Sequence, residues 1–386
     1  MNLRLTGALL AIFALTVTGL STGGRVYYLV AALLTAMLLI GLVSGLWALF
    51  SVRVSVRELT SRAFRGDRLP LVFSVWHSCL MPIAGIVIEM DVPSQLTGIH
   101  EVTVRATPLK NHTFRQLLLC PHRGVYQVGI RRVRVRDVFG LFQFSRKIKT
   151  RGTILEVAPR QREGREMALG SVDSGPMYYT RATEDTASPS DVRAWQEGDS
   201  LKKVHWKLSM RRRQMVVRTY EEGARPDTLI LPDLSGITAL QDQALTLEDG
   251  ICEACLAAAK AQLDAGYPVR MPLICTRPQE LSAHHIADLA ALSDALMRVP
   301  FDNPTPYEQV LMTIPSRMMR TGGAVLVTAR LTSRVADMAL KLRAGGARIR
   351  LVWVSEEARD ESLQMLERLK MDGVEVERVD PLREGQ

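Results

Sequence analysis

The sequence lacks a disulfide framework. Its five cysteines, Cys79, Cys120, Cys252, Cys255 and Cys275, are odd in number and scattered over predicted strands and a helix. That usage fits a reducing compartment rather than a stapled secreted domain. Cys252 and Cys255 form a C-x-x-C pair, but inside a predicted helix and with no second pair to complete a metal tetrahedron. Both read as packed core thiols. Also missing, in any fitting context, are a P-loop, G-x-S-x-G, H-E-x-x-H and G-x-G-x-x-G. The sequence therefore offers no nucleophile or cofactor signature on which to build an enzyme.

What is present is apolar and basic. An apolar share of 47% with a slightly positive mean hydropathy points to membrane segments added to ordinary cores. Forty-nine Lys and Arg against forty acids leave a net charge of +9, which favours anionic surfaces or positive-inside topology. Two apolar runs, LRLTGALLAIFALTVTGL and VYYLVAALLTAMLLIGLVSGLWALF, are separated by STGGR. The second carries no charge over 26–50, enough to cross roughly 30 Å of hydrocarbon. The first is near the lower limit and resembles a signal h-region, though without a convincing cleavage pattern. Tyr27, Tyr28 and Trp47 lie toward the ends of the second run, where aromatic rings prefer the headgroup zone. Arg25 faces Arg53, Arg57, Arg62, Arg65 and Arg68 across that run, so the expectation is a hairpin with the rest of the chain in the cytoplasm.

Residues 51–160 read as a second domain. VRVSVRE, LVFSVW, IVIEMDV, EVTVRA, FRQLLLC, GVYQVGI and RRVRVRDV alternate with period two between turn residues, the pattern of an immunoglobulin-like antiparallel β-sandwich. Arg131, Arg132, Arg134 and Arg136 are expected on a solvated outer face near the bilayer. DVFGLF (137–142) is expected to turn the chain at Gly140 with Phe139, Leu141 and Phe142 buried. Residues 161–190 are polar and aperiodic and read as a long loop.

The most specific stretch is 191–222, DVRAWQEGDSLKKVHWKLSMRRRQMVVRTYEE. It reads as an acidic turn ending at Gly198-Asp199, then a helix with Leu201, Val204 and Leu208 on one face. Lys203, Lys207 and Arg211 form a basic stripe at i, i+4, i+8, with His205 and Trp206 between the two faces. MVVRTY then reads as a strand. The preferred reading is an interaction surface anchored by Trp206, with Asp199 paired to Lys202 or Arg193 to shape the turn and the tryptophan also suited to an inter-domain clasp. Two alternatives are weighed against it. One is an enzyme of unknown reaction using Asp191, Asp199 or His205 as acid–base groups. The other is nucleic-acid binding through the basic 202–213 segment, which lacks interleaved stacking aromatics.

From 227 to 386, strands and helices alternate, arguing βαβ units in a mostly parallel sheet. LEDGICEACLAAAKAQLDAG and AHHIADLAALSDALMRV are its first two predicted helices. His284 and His285, adjacent on the second, would point to different faces and cannot share a metal. Ligands bind such sheets at the carboxyl ends of strands. There, Asp233-Leu-Ser235 offers one carboxylate and one hydroxyl, Ile237 stands where a third oxygen would be, and Thr328-Ala329 ends a later strand. That is a degenerate Mg²⁺ site, and neither a metal nor any other cofactor is expected.

Three passages, HRGVYQVGIRRVRVRDVFGLF with ILEVAPR, DVRAWQEGDSLKKVHWKLS with MVVRTYEE, and TLILPDLSG, together resemble the domain-of-unknown-function 58 family. Gly198-Asp199, Lys202, Val204-His205-Trp206 and Val217-Arg218 carry the resemblance in register; Glu197 departs where many relatives have proline. The resemblance implies a bacterial cytoplasmic-membrane protein with a von Willebrand factor A-like, Rossmann-type C-terminal domain. It also implies partnership with a MoxR-type AAA+ ATPase, and with membrane proteins encoded nearby, in an envelope-related or assembly process. The organisation expected is then a transmembrane hairpin (1–50), a β-sandwich (51–160), a loop with the signature motif (161–226) and the α/β domain (227–386). The signature and partner-candidate residues, none of them expected to be catalytic, are Arg193, Gly198, Asp199, Lys202, Lys203, His205, Trp206, Lys207, Arg211 and Arg218.

Overall fold

A computed structural model describes residues 3–81, 83–98, 100–148, 152–167, 191–195, 204, 206–219, 226–316, 321–357 and 360–382. The chain divides into two compact units, Met1–Arg160 and Gln161–Gln386.

The first unit opens with two helices, α1 (Leu3–Thr22) and α2 (Arg25–Ser51), which pack on each other as a hairpin. Both are candidate membrane spans by length and composition. Their sides carry exposed Leu10, Phe13, Leu29 and Leu33, side chains that water does not favour. The strands follow: β1 (Arg53–Glu58), β2 (Arg62–Phe64), β3 (Arg68–Trp76), β4 (Ile83–Asp91), β5 (Glu101–Val104), β6 (His112–Leu119), β7 (Gly124–Asp137), β8 (Gln143–Lys147) and β9 (Thr153–Ala158). They make one sheet in the order β1-β3-β6 and a second in the order β2-β9-β7-β4-β5, with β8 also on β7. Both sheets send side chains into one core, among them Phe73, Val75, Ile86, Ile88, Val135 and Leu155.

Two expectations change here. The short β2 pairs with β9 in parallel, so this unit is not purely antiparallel. GVYQVGI and RRVRVRDV, read as two strands, are one strand of 14 residues. Its first half pairs with β9 and its second with β4 and β8, and the register slips where Glu89 faces Arg132 but Met90 faces Ile130. Arg131 is thus the extra residue of a bulge, which bends the strand and lets it serve both neighbours. The arginines are not all free in solvent either: Arg134 lies 2.9 Å from Glu89 and also meets Glu101, and Arg132 lies 3.8 Å from Glu89.

The last three turns of α2 belong to this unit's core. Ala48, Leu49 and Val52 sit within the same cluster as the sheet residues. Gly41 and Gly45 face the turn after β7: an added Cβ at Gly41 would come 2.9 Å from Asp137 Oδ2, and one at Gly45 would overlap the Phe144 ring. Only glycine allows so close an approach of helix to loop. Arg146 on β8 donates to the Val52 carbonyl at 2.8 Å, at the helix end where carbonyls lack helical partners and the dipole is negative. The turn 137–142 forms as expected around Gly140. Asp137, fully buried, accepts from the backbone N–H of Phe139 and Phe142. Leu141 is buried, but Phe139 is 39% exposed, a departure from the expected burial.

The second unit holds strands β10 (Asp191–Ala194), β11 (Val216–Thr219), β12 (Asp227–Pro232), β13 (Val269–Leu273), β14 (Gln279–Ala283), β15 (Thr321–Thr328), β16 (Arg348–Val354) and β17 (Glu375–Val379). Its helices are α3 (Trp206–Arg212), α4 (Gln241–Asp264), α5 (Leu289–Arg298), α6 (Tyr307–Met312), α7 (Ser333–Ala344) and α8 (Asp360–Met371). Six strands form a sheet in the order β14-β13-β12-β15-β16-β17. All are parallel except β14, whose polar QELSA carries no apolar alternation to announce a strand. One core packs α4 and α5 against the sheet, and another packs α6, α7 and α8. That is the two-sided cover a parallel sheet requires.

Two local readings are corrected. The second predicted helix begins at Leu289, not at Ala283, which ends β14. His284 and His285 precede it, and their backbone N–H groups donate to Asp288 at 2.8 and 3.0 Å. Those two bonds, the His284 one first, hold the Asp288 carboxyl below its usual range. The start of the supposed 161–190 loop is a fixed strap. Arg162 pairs with the wholly buried Glu253 at 2.8 Å and donates to the carbonyls of Asp380 and Pro381. Gly164 lies so close to the Ala257 carbonyl that a Cβ would overlap it, and Met167 is buried in the α4 core. Cys252 and Cys255 are fully buried in the same core, where desolvation pushes the Cys255 thiol well above its ordinary value.

Candidate functional site

Two sites emerge from the residues singled out by sequence, both in the second unit. The first is the signature segment. Residues 191–194, read as a turn-prone loop, form β10 and pair antiparallel with β11, Val192 opposite Arg218 and Arg193 opposite Val217. The loop assignment missed this because four residues with a single β-branched side chain acquire strand character only from a partner over twenty positions away. The expected helix is present but starts at Trp206. Val204 is buried, and Ser209 accepts from the Val216 backbone N–H at 2.9 Å, which ties α3 to β11. Gly198, Asp199, Lys202, Lys203 and His205 lie outside the described residues, as do Leu201 and the side chains of Arg193 and Arg218.

The outer side of α3 is open. Trp206 is 60% and Met210 82% exposed, four residues apart, and Lys207 and Arg211 repeat that spacing beside them. A face of this kind, an aromatic and a flexible thioether bordered by cations, has the composition that binding surfaces favour. Met210 was not singled out from the sequence; its i+4 spacing from Trp206 was the available signal.

The second site lies at the carboxyl ends of the central strands. The sheet order reverses between β12 and β15, because β12 to β14 run outward on one side and β15 to β17 on the other. A crevice for ligands forms at such a reversal. Asp233, 3% exposed, follows β12, and Thr328 ends β15. Thr328 Oγ1 donates to Asp233 Oδ2 at 2.7 Å, and the Ser235 hydroxyl donates to Oδ1. Arg330 then closes the group, its Nη2 3.4 Å from Asp233 Oδ1 and donating also to Ser235 Oγ. Both carboxylate oxygens are therefore already engaged by donors, one of them a full positive charge. Asp233, Ser235 and Thr328 are the hard oxygen ligands a Mg²⁺ ion would need, and the guanidinium stands among them. Arg330 and Tyr307 were missed by the sequence reading. Tyr307 is buried behind Asp233 and donates to the Leu231 carbonyl at 2.7 Å. Desolvation first, and the Asp233 and Cys255 charges after it, push its phenol well above the ordinary range. Among the described residues, no group of three or more His, Cys, Asp or Glu could hold a metal ion.

Residues 191–382, from the first residue of β10 onward, match the family model described as Protein of unknown function DUF58. Uncharacterized protein YeaD of Bacillus subtilis (strain 168) is 24% identical over 232 residues, covering 57% of this chain and 57% of its own length. The chain thus spans little more than half of that curated relative. Together these matches support a DUF58 protein. Among solved structures, the human seminal-plasma complex of Zinc 2-glycoprotein and Prolactin inducible protein gives a TM-score of 0.21 at 14% identity, over 27% of this chain and 92% of that one. A conjugative transposon lipoprotein from Bacteroides eggerthii gives 0.17 at 12% identity, over 26% of this chain and 99% of that one. Likenesses at this level carry no assignment.

Proposed function

We propose that this DUF58-type chain is a membrane-anchored interaction protein without an enzymatic reaction of its own. In this reading α1 and α2 hold it in the bacterial cytoplasmic membrane and both folded units face the cytoplasm. The first unit is an immunoglobulin-like sandwich, and the second is a von Willebrand factor A-like domain. The strand order β14-β13-β12-β15-β16-β17 with an antiparallel β14 supports the latter. Such a domain would use its carboxyl edge with Arg330 in the cation's place, so that no metal or other cofactor is required. The partner is a cytoplasmic ATPase of the MoxR-type AAA+ class.

The exposed Trp206–Met210 pair, flanked by Lys207 and Arg211, carries the reading. An aromatic anchor with adjacent charge is what a protein partner rewards most, each such anchor contributing roughly 2 kcal/mol or more. The test uses the full chain in lipid nanodiscs with a purified MoxR-type ATPase. Trp206→Ala with Lys207→Glu should weaken capture about 30-fold, the equivalent of 2 kcal/mol. Equal capture by the double variant would assign this face to solvent, and no capture by the unaltered chain would remove the ATPase as partner.

A further inference from the structure

We infer that the corner of the β unit formed by the loop before β4 and the turn after β7 is a membrane-contact surface, seated in the headgroup and upper acyl zone of the bilayer. The inference rests on α1 and α2 spanning that bilayer. Helix α2 has 27 residues, a length of about 40 Å at 1.5 Å per residue. The hydrocarbon layer needs only about 20 of them, roughly 30 Å. Counted from Arg25, the span then reaches residue 45 or so. Yet the β unit already grips the helix from Gly41 onward, about 24 Å along it. Asp137, Phe139 and Phe142 lie against Gly41, Phe144 lies against Gly45, and the Cys79 thiol donates to the Ser44 carbonyl at 3.6 Å. Whatever touches Gly41 to Gly45 is at the depth of the lipid boundary.

The residues displayed at that depth suit it. Val138 and Phe139 on the turn are 40% and 39% exposed, and Leu80, next to Cys79, is 65% exposed. On α2 itself, Ile40, Val43, Trp47 and Phe50 remain exposed beside the same stretch, so the apolar surface of the helix continues onto the turn. Trp47 sits where interfacial tryptophans concentrate. Arg136 is exposed one residue before the turn, and Arg53 follows the helix with its guanidinium over the Trp76 ring at 5.6 Å. Apolar tips with arginines just above them match acyl chains below anionic headgroups. The β unit is therefore docked on the membrane rather than tethered above it.

The test is spin-label accessibility on the full chain in phosphatidylethanolamine–phosphatidylglycerol vesicles, in a Cys275→Ser background because the other four thiols are buried. Single labels go at Leu80→Cys, Val138→Cys and Phe139→Cys, with Leu33→Cys as the span reference and Val125→Cys, at the far end of β7, as the water reference. The expected result is collision with dissolved oxygen several-fold above that with a water-soluble nickel chelate at the three corner positions, as at Leu33, and the reverse at Val125. Nickel access at the corner equal to that at Val125 would overturn the inference while leaving the span intact. Shielding from both reagents would overturn it in favour of a protein contact. Water access at Leu33 would remove the span and the inference together.

Discussion

Arg330 holds its guanidinium 3.4 Å from Oδ1 of Asp233, a carboxylate only 3% exposed at the point where the sheet order reverses. Ninety-seven residues separate the two in sequence. A buried charge is tolerated only when it is paired and hydrogen-bonded, and Arg330 completes that condition after Ser235 and Thr328.

Replacing Arg330 with alanine should cost about 1–3 kcal/mol, below the cost of breaking a wholly buried pair because the Arg330 side chain is 42% exposed. The variant should also show an upward shift of its unfolding midpoint with millimolar Mg²⁺, larger than any shift in the unaltered chain. Trp353, whose indole donates to the Ala329 carbonyl, gives a local fluorescence signal for both effects. No Mg²⁺ response in the variant would mean that Arg330 is not what occupies the cation's position.

Arg162 faces Glu253, a carboxylate with no exposed side-chain surface, and is itself 12% exposed. Arg162→Ala should destabilise the second unit by roughly 3–5 kcal/mol, and adding Glu253→Gln should recover much of the loss. Chemical denaturation of both variants measures this. A double variant no more stable than the single one would show that charge burial is not the cause.

Gly45 leaves no room for a Cβ beside Phe144. Gly45→Ala should therefore cost about 1–3 kcal/mol through overpacking, even though alanine favours helices. Gly45→Ala with Phe144→Leu should relieve part of that cost. Thermal unfolding of the two variants in nanodiscs would distinguish a steric origin from a loss of helix geometry, since only the first is rescued.

Desolvation, and then the nearby Asp67 charge, push the Cys120 thiol from its ordinary 9.0 up to about 11. Its folded-state value is raised, so its contribution is fully present below pH 9 and is lost as pH rises toward 11. Cys120→Ala should flatten part of the alkaline decline in stability while leaving the neutral range without pH dependence from this site. A decline as steep in the variant would place the titrating group elsewhere.

The alternation of apolar and polar residues announced most of the strands and the helices α4, α7 and α8, because each covers enough residues for its period to show. It could not announce β14 or β10, whose strand character comes from neighbours distant in sequence. Nor could it show that two runs of alternating residues were one strand, since a bulge at Arg131 interrupts the period exactly as a turn would. At the strand ends, Asp233 and Ser235 were legible as oxygen donors. Arg330 was not, because a guanidinium's role there depends on a fold that brings two loops together. In α2 the glycines at 41 and 45 looked like members of an apolar run, and only the approach of Asp137 and Phe144 separates them from it.

Arg162 touches both ends of the second unit at once, gripping α4 through Glu253 and the backbone of Asp380 and Pro381. Entry and exit of the fold are therefore clasped at one place. The same guanidinium thus ties the chain ahead of β10 both to α4 and to the segment after β17. With Met167 buried in the α4 core and Arg350 donating to the carbonyls of Arg165 and Glu166, the head of this unit is fastened at several points to its interior.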